Sequence, residues 1–487
     1  MERRPVQMAR GNARESLTET VMNAVRQQIA ARSLVPGARL PSIRAFARTM
    51  GVSTFTVTEA YDRLAAEGAI RARPGSGFYV AAPLAPLTLA EIGPRLDREI
   101  DPLWIWRQSL EDEETLLKPG CGWLPPDWMP QDAIRRALRG LARDADATLA
   151  NYSTPLGLPG LRELVARRVG RYGIAASPDQ IVLADSGTHA VDLLCRFLIE
   201  PGDTVLVDDP CYFNFHALLR AHRARVVGVP FTSTGPDLDA FATAVSAHRP
   251  RLYITNSALH NPTGGSISAA TAHRLLQLCQ GTGMTIIEDD IFADFQDEPT
   301  PRLAALDGLE RVVQVGSFSK TLSASVRCGY IVARHDWIEA LVDLKIATSA
   351  GSSHLAAALV LALLKESTYR RHVETLRLRL ARKRVETAAR LRPLGLEPAI
   401  EPRAGMFLWC RLPEGLDAGA IARHALAAGV VLAPGNAFSP ARTSGGFLRF
   451  NVAQSDDPKI CEVLAEAMAA TARTIPPAPA PARRHRP

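Results

Sequence analysis

Nothing in this 487-residue sequence approaches the ~18 uninterrupted apolar residues of a membrane-spanning helix, and its N-terminus has no apolar core of a secretion signal. From those absences neither a membrane span nor a secretory route is expected, and the expectation is a cytoplasmic protein. The cysteines lack pattern as well: the seven, at 121, 195, 211, 279, 328, 410 and 461, form no Cys-x-x-Cys pair and no metal-ligand spacing. Neither a disulfide framework nor a metal site is expected, and the thiols read as reduced. Lysine is missing from residues 1–80, where twelve Arg face six Asp or Glu and leave a net +6. The whole chain carries +7, so its excess of positive charge is gathered in one sixth of its length, which points to a polyanion partner for that part. At 47% apolar and 22% charged residues the composition is that of a globular protein. A soft scale of about 150 residues per domain gives two or three domains.

Residues 1–13 are polar and aperiodic and read as a disordered arm. From Ser16 the pattern turns helical, with Ser16 and Glu19 at capping-box spacing and Leu17, Val21, Ala24, Val25 and Ile29 on one face. This helix should stop near Leu34-Val35-Pro36-Gly37. Ser42 caps a second helix with Ile43, Phe46, Ala47 and Met50 inward, and after Gly51-Val52-Ser53 a third runs from Thr54 to Glu67. Two short helices across a Gly-containing turn make a helix-turn-helix, and the strand pair Ala69–Arg73 and Phe78–Val80 around Pro74-Gly75-Ser76-Gly77 would be a wing.

The runs Pro36-Gly37-Ala38-Arg39-Leu40-Pro41-Ser42-Ile43-Arg44, Gly51-Val52-Ser53, Thr56–Leu64 and Gly75–Val80 resemble the winged helix-turn-helix of GntR-type bacterial regulators. The resemblance implies a DNA-binding domain over residues 14–82, with the third helix in the major groove and the wing tip at the minor groove. It places Arg39, Ser42 and Arg44 at the DNA around the second helix. On the third it implies Ser53, Thr54, Thr56, Thr58 and Arg63, and at the wing Ser76 and Gly77. Thr54 stands where many relatives have arginine, so base preference does not carry over.

Residues 83–117, with Pro83, Pro86, Trp104 and Trp106, read as a linker that starts extended and ends partly packed. Beyond it, short β-branched runs alternate with helical patterns: Gln180–Ala184, Thr204–Val207, Arg225–Val229, Arg251–Thr255, Thr285–Glu288, Arg311–Val315 and Gly329–Val332. This is the pattern of an α/β fold with a mixed, mostly parallel seven-stranded sheet covered on both faces. A long helical region follows Ala347, in which Arg370 to Arg384 reads as a solvated face. Alternation around Gly405–Leu412 and Phe447–Val452 suggests a smaller C-terminal lobe, and residues 475–487 read as a disordered tail.

Ligands of open α/β sheets bind at the carboxyl ends of strands, and that is where the chemistry-bearing residues fall. Lys320, in Gly316-Ser317-Phe318-Ser319-Lys320-Thr321, stands just past a strand and seven residues before Arg327. A lysine there can form an imine with an aldehyde cofactor, with Ser317, Ser319 and Arg327 holding its phosphate. Asp185-Ser186-Gly187-Thr188 opens a helix whose N–H groups suit a phosphate. Tyr212 can stack on a flat ring, Asn261 offers an amide in the turn His260-Asn261-Pro262-Thr263-Gly264, and a carboxylate of Glu288-Asp289-Asp290 can pair with a pyridine nitrogen.

In this order the motifs resemble fold-type I aminotransferases over residues 118–474. The resemblance implies pyridoxal 5'-phosphate, with Lys320 as the Schiff-base lysine, Asp289 at the ring nitrogen, Asn261 at the ring oxygen and Tyr212 stacked on the ring. It implies Ser186, Gly187, Thr188, Ser317, Ser319 and Arg327 around the phosphate, Tyr152 reaching a partner subunit's phosphate, and Arg449 clamping a substrate carboxylate. Phe292 stands where the family usually has tyrosine, and Ala324 where it has proline.

A GntR-type module tethered to such a domain resembles the MocR family of bacterial regulators. That resemblance implies a transcription regulator that binds double-stranded operator DNA. It would sense an amino compound or B6 vitamer through an internal aldimine at Lys320, as a homodimer with head-to-tail domain exchange as one arrangement. Two other readings stay open: a working aminotransferase acting on an amino acid, and a DNA-binding scaffold whose second domain only dimerises.

Overall fold

The computed structural model describes residues 16–30, 34, 37–73, 76–81, 103–110, 116–143 and 150–473. The expected arm 1–13, tail 475–487, helix stop at Val35-Pro36, wing tip Pro74-Gly75 and most of the linker lie outside these residues. The chain divides into two compact units, Met1–Pro94 and Arg95–Pro487.

The first unit contains α1 (Leu17–Ala30), α2 (Ile43–Met50), α3 (Thr54–Ala66) and a hairpin of β1 (Ile70–Arg73) and β2 (Gly77–Val80). Its helix starts are set by hydroxyl caps: the side-chain oxygens of Ser16, Ser42 and Ser53 accept from the backbone N–H of Glu19, Ala45 and Thr56 at 3.1, 3.3 and 3.0 Å. The turn between α2 and α3 needs Gly51, whose φ of 66° is left-handed. Val21, Val25, Phe46, Val57, Tyr61 and Leu64 meet Ile70 and Val80 in one small core. Truncating one of these, such as Leu64→Ala, costs about 2–5 kcal/mol, a large share of what so small a core supplies.

In the second unit all seven expected strands pair in one sheet: β3 (Ile181–Ala184), β4 (Thr204–Asp209), β5 (Arg225–Thr232), β7 (Leu252–Thr255), β8 (Thr285–Asp289), β9 (Val312–Ser317) and β10 (Gly329–Val332). An eighth member, the two-residue β6 (Gly235–Pro236), extends the edge antiparallel to β5. Two residues leave no periodicity to read, which is why the sequence gives seven. The order is β3-β10-β9-β8-β7-β4-β5-β6, with β10 antiparallel to both neighbours and the strands from β9 to β5 parallel. Alternate residues feed opposite faces: Leu206 and Ile286 join one apolar cluster, and Val205, Val207 and Ile287 the other.

A smaller sheet, β11 (Glu397–Pro398), β12 (Phe407–Arg411), β13 (Ala433–Pro434) and β14 (Phe447–Asn451), is ordered β11-β12-β14-β13 and forms the core of the C-terminal lobe. Trp104 and Ile105, within the expected linker, lie buried in that same core on a short helix, Trp104–Leu110. On the long helix Ser367–Leu391, Arg370, Arg371 and Arg382 are exposed as a solvated face requires, while Arg377 and Arg384 are half-buried and bonded. Arg377 donates to the Asp294 carbonyl at 2.7 Å, and Arg384 to the carbonyls of Gly405 and Arg403 at 2.9 and 3.0 Å. Guanidinium groups there tie loops to the helix.

Candidate functional site

Because β4, β7, β8 and β9 run parallel, their carboxyl ends deliver Asp209, Thr255, Asp289 and Ser317 to one edge of the sheet. Lys320 follows β9 in the loop that returns to β10. Its ammonium donates to the carbonyl of Gly122 at 2.7 Å. Burial, reinforced by the positive charge of Arg449, pulls its pKa down to about 8, so the ammonium still predominates near neutral pH but a minor unprotonated fraction, roughly one-tenth at pH 7, is present.

Asp289 ends β8 and is 5% exposed. Burial pushes its carboxyl up to about 7, so the ionised form gains from any cation brought beside it. Asn261 sits in a turn closed by the Gly264 N–H donating to the His260 carbonyl at 2.7 Å and by His260 Nδ1 against Thr263 Oγ1 at 2.8 Å. Arg449 Nη1 lies 2.8 Å from Asn261 Oδ1. A guanidinium can only donate, so the atom it holds is the amide oxygen and the amide NH2 is left as the donor.

Arg449 enters from β14, flanked by the rings of Phe407 and Phe438 with its guanidinium carbon 4.2 and 4.7 Å from their centroids. Nη2 donates to the Gly120 carbonyl at 2.7 Å, while buried Nε has no partner among the described residues. Burial draws its pKa down to about 10. An incompletely paired cation in an apolar slot is a receptor for an anion.

The phosphate-type residues gather nearby. Ser186 caps the helix Gly187–Leu198, its oxygen accepting from the His189 N–H at 3.0 Å. Ser317 Oγ donates to Ser319 Oγ at 3.1 Å. Gly329 lets β10 cross close to this helix start, since a Cβ there would fall 2.5 Å from the Ser186 carbonyl carbon. Ser186, Gly187, Thr188, Ser317, Ser319 and Arg327 line one cavity with Asp289, Tyr212 and Lys320. Asn261 and Phe292 line an adjoining one with Tyr212 and Lys320. Phe292 is buried against Phe295 and Phe407, so no hydroxyl is supplied from that position. Tyr152 is not brought to these cavities; it is 85% exposed.

Sequence reasoning missed Trp106. It lines both cavities, its indole N–H donates to the Tyr212 hydroxyl at 3.3 Å, and its ring lies 5.6 Å from that of Trp123. Burial pushes the Tyr212 phenol up to about 12, which keeps it protonated. The pair Trp104 and Trp106 amid acidic residues was the available signal. A separate cleft of about 510 Å³, between the helices Pro159–Gly170 and Ser367–Leu391, contains arginines matched by carboxylates, as in the Arg168–Asp294 pair, and is not lined by Lys320.

In the first unit, Arg39, Arg44, Ser53 and Thr54 are exposed, as are Ser42 and Gly77. Arg63 is paired with Glu59 at 2.5 Å, and the Ser76 hydroxyl with that of Tyr79 at 2.5 Å. The hydroxyls of Thr56 and Thr58 bond Ser53 Oγ and the Thr54 carbonyl at 2.8 and 2.9 Å. Among the described residues no helix is long and apolar enough to cross a membrane, and no cluster of three metal-ligating side chains occurs.

Residues 125–467 match the family model for aminotransferase class I and II, and residues 17–80 that for bacterial regulatory proteins of the gntR family. An uncharacterized HTH-type transcriptional regulator of Escherichia coli, YdcR, is 33% identical over 88% of this chain and 93% of its own. The 2-aminoadipate transaminase of Thermus thermophilus is 31% identical over 70% of this chain and 87% of its own. Among solved structures, LysN, an alpha-aminoadipate aminotransferase from Thermus thermophilus complexed with N-(5'-phosphopyridoxyl)-L-leucine, superposes with a TM-score of 0.68 at 27% identity, over 74% of this chain and 94% of that one.

Proposed function

The chain belongs to the aminotransferase class I and II family and, joined to its gntR-family module, to the MocR type of transcriptional regulator, and from that premise we propose that it couples DNA binding to an amino-compound ligand at Lys320. The cofactor of this fold is pyridoxal 5'-phosphate. The residues present fit it: a buried carboxylate poised to gain from a cation, an amide NH2 left free to donate, and a hydroxyl-rich helix start. When bound, the cofactor supplies an aldehyde to which amines add and a ring that withdraws electrons.

In this reading Lys320 provides the amine that holds the cofactor, and its pKa of about 8 keeps an unprotonated fraction available. Asp289 holds the ring-nitrogen proton. Asn261 donates to the ring oxygen without help from a tyrosine, because Phe292 has no hydroxyl. Ser186, Thr188, Ser317, Ser319 and Arg327 bind the phosphate, Tyr212 faces the ring, and Trp106 covers the cavity and limits water. Arg449 Nε receives a carboxylate on the incoming amine, which makes a carboxylate-bearing amino compound the favoured effector class over a B6 vitamer. The observation that carries the proposal is that Lys320 lines two adjoining cavities, one with Asp289 and one with Asn261, the latter bonded by Arg449, in a chain that also bears a winged helix.

Aminotransferase-type domains commonly dimerise, and we propose a homodimer, the domain-exchanged form included, in which exposed Tyr152 serves the partner's phosphate. Domain boundaries at residues 14–82 and 118–474 and a cytoplasmic site of action belong to the same proposal. A slow aminotransferase is the second reading, favoured by the intact polar set and opposed by Phe292. The deciding experiment titrates the full chain and its Lys320→Ala variant with a panel of amines. It reads cofactor absorbance, keto-acid product and binding to DNA from the protein's own upstream region. A single absorbance change with altered DNA binding is expected; repeated turnover with unaltered DNA binding selects the enzyme instead.

A further inference from the structure

The first turn of α3 presents an aromatic ring to solvent: Phe55 is 76% exposed, beside exposed Thr54, on the helix that a winged helix-turn-helix inserts into the major groove. An exposed phenyl in isolation is ordinary, but its surroundings here select a partner. The hydroxyls of Ser53, Thr56 and Thr58 around it are engaged within the helix, while exposed Thr54 on the same turn has only its carbonyl bonded. Thr56 Oγ1 lies 2.8 Å from Ser53 Oγ, Thr58 donates to the Thr54 carbonyl at 2.9 Å, and Arg63 is held by Glu59 at 2.5 Å. No arginine stands on the first turn of α3 to reach a guanine edge. Exposed Arg44 and Arg48 on α2 line the adjoining cleft with Thr54, which suits phosphate.

A helix turn that carries a forward phenyl ring and no arginine is suited to apolar features of base edges, and in the major groove that feature is the thymine C5 methyl. Resting on the regulator reading, we propose that Phe55 is a specificity-determining residue that packs on thymine methyl groups in each operator half-site. Arg44 and Arg48 set the register on the backbone.

The test uses the full chain and a duplex enriched by it from a random-sequence pool. Thymines of each half-site are replaced one at a time by uracil, which removes the methyl and leaves base pairing intact. Wild type is expected to lose about fourfold or more in affinity for each contacted methyl. The Phe55→Ala variant should bind the thymine duplex correspondingly more weakly and not distinguish it from the uracil duplex. Wild-type affinity unchanged by every thymine-to-uracil replacement overturns the proposal. So does a Phe55→Ala protein that keeps the discrimination, which would assign the exposed ring to another surface. If the pool yields no preferred sequence, the proposal falls together with the regulator reading; the other two failures leave that reading standing.

Discussion

In the winged unit the arginines proposed to meet DNA stand in solvent, whereas in the second unit the aspartate and arginine proposed to meet cofactor and effector are buried and the lysine is half-buried. The difference is one of environment more than of residue type. An exposed guanidinium keeps its charge at little cost and acts at a distance that salt screens within about 10 Å at 0.1 M. Withdrawn from bulk water, Lys320, Asp289 and Arg449 each give up part of their preference for the charged state, and recover it when the correct partner arrives. Ionic strength should therefore govern the first unit, and pH and ligand chemistry the second.

The largest effect expected is from Lys320→Ala, which removes the only amine among the described residues that line the cavities: cofactor absorbance should no longer respond to any amine, while salt-dependent DNA affinity without effector stays as in wild type. Loss of DNA binding in the same variant would break the proposed division of labour. Asp289→Asn comes next. Exchanging a charge-assisted hydrogen bond, worth about 1.5–3 kcal/mol, for a neutral one, worth about 1 kcal/mol, should weaken cofactor retention roughly 3–30-fold, measured by dialysis and absorbance. The same variant carries a pH signature in the cofactor-free protein. The Asp289 carboxyl is raised from 3.8 to about 7 on folding, so between those values the folded chain holds a proton that the unfolded chain has released. Its contribution to stability is present at low pH and lost as pH climbs to about 7, by a few kcal/mol, and Asp289→Asn should flatten that fall in denaturant titrations.

Arg449→Lys sharpens the contrast by ligand. Loss of the guanidinium Nε donor should weaken carboxylate-bearing amines roughly tenfold, and amines without a carboxylate less, through the Asn261 amide that Nη1 holds, as read by absorbance titration. The smallest effect belongs to the exposed side: Arg44→Ala should lower the slope of log affinity against log salt by about one without moving cofactor absorbance.

Most of the strand ends were readable because a parallel sheet buries both faces of each strand and gives short apolar runs that stop at a polar residue, as at Asp209 and Asp289. The caps Ser16, Ser42 and Ser53 were readable because their signal is local. Partners distant in the chain left no trace: the Gly122 carbonyl that holds Lys320 lies 198 positions away, and any residue has a carbonyl. The helix Trp104–Leu110 escaped because seven residues carry too little periodicity, and its burial is decided by the C-terminal lobe it packs into. Arg377 and Arg384 read as solvated because a sequence does not say which carbonyls wait at a guanidinium's reach.

The contact of Trp106 with Tyr212 and Trp123 gives the protein an optical property. Six tryptophans are spread over the chain, but this indole alone lines both cavities around Lys320, in contact with a second indole and bonded to a phenol. Its emission is thus a label-free gauge of what fills the site. A pyridine chromophore bound there lies within easy range for energy transfer, so each occupant, present or departing, is written into the ultraviolet fluorescence of the native chain.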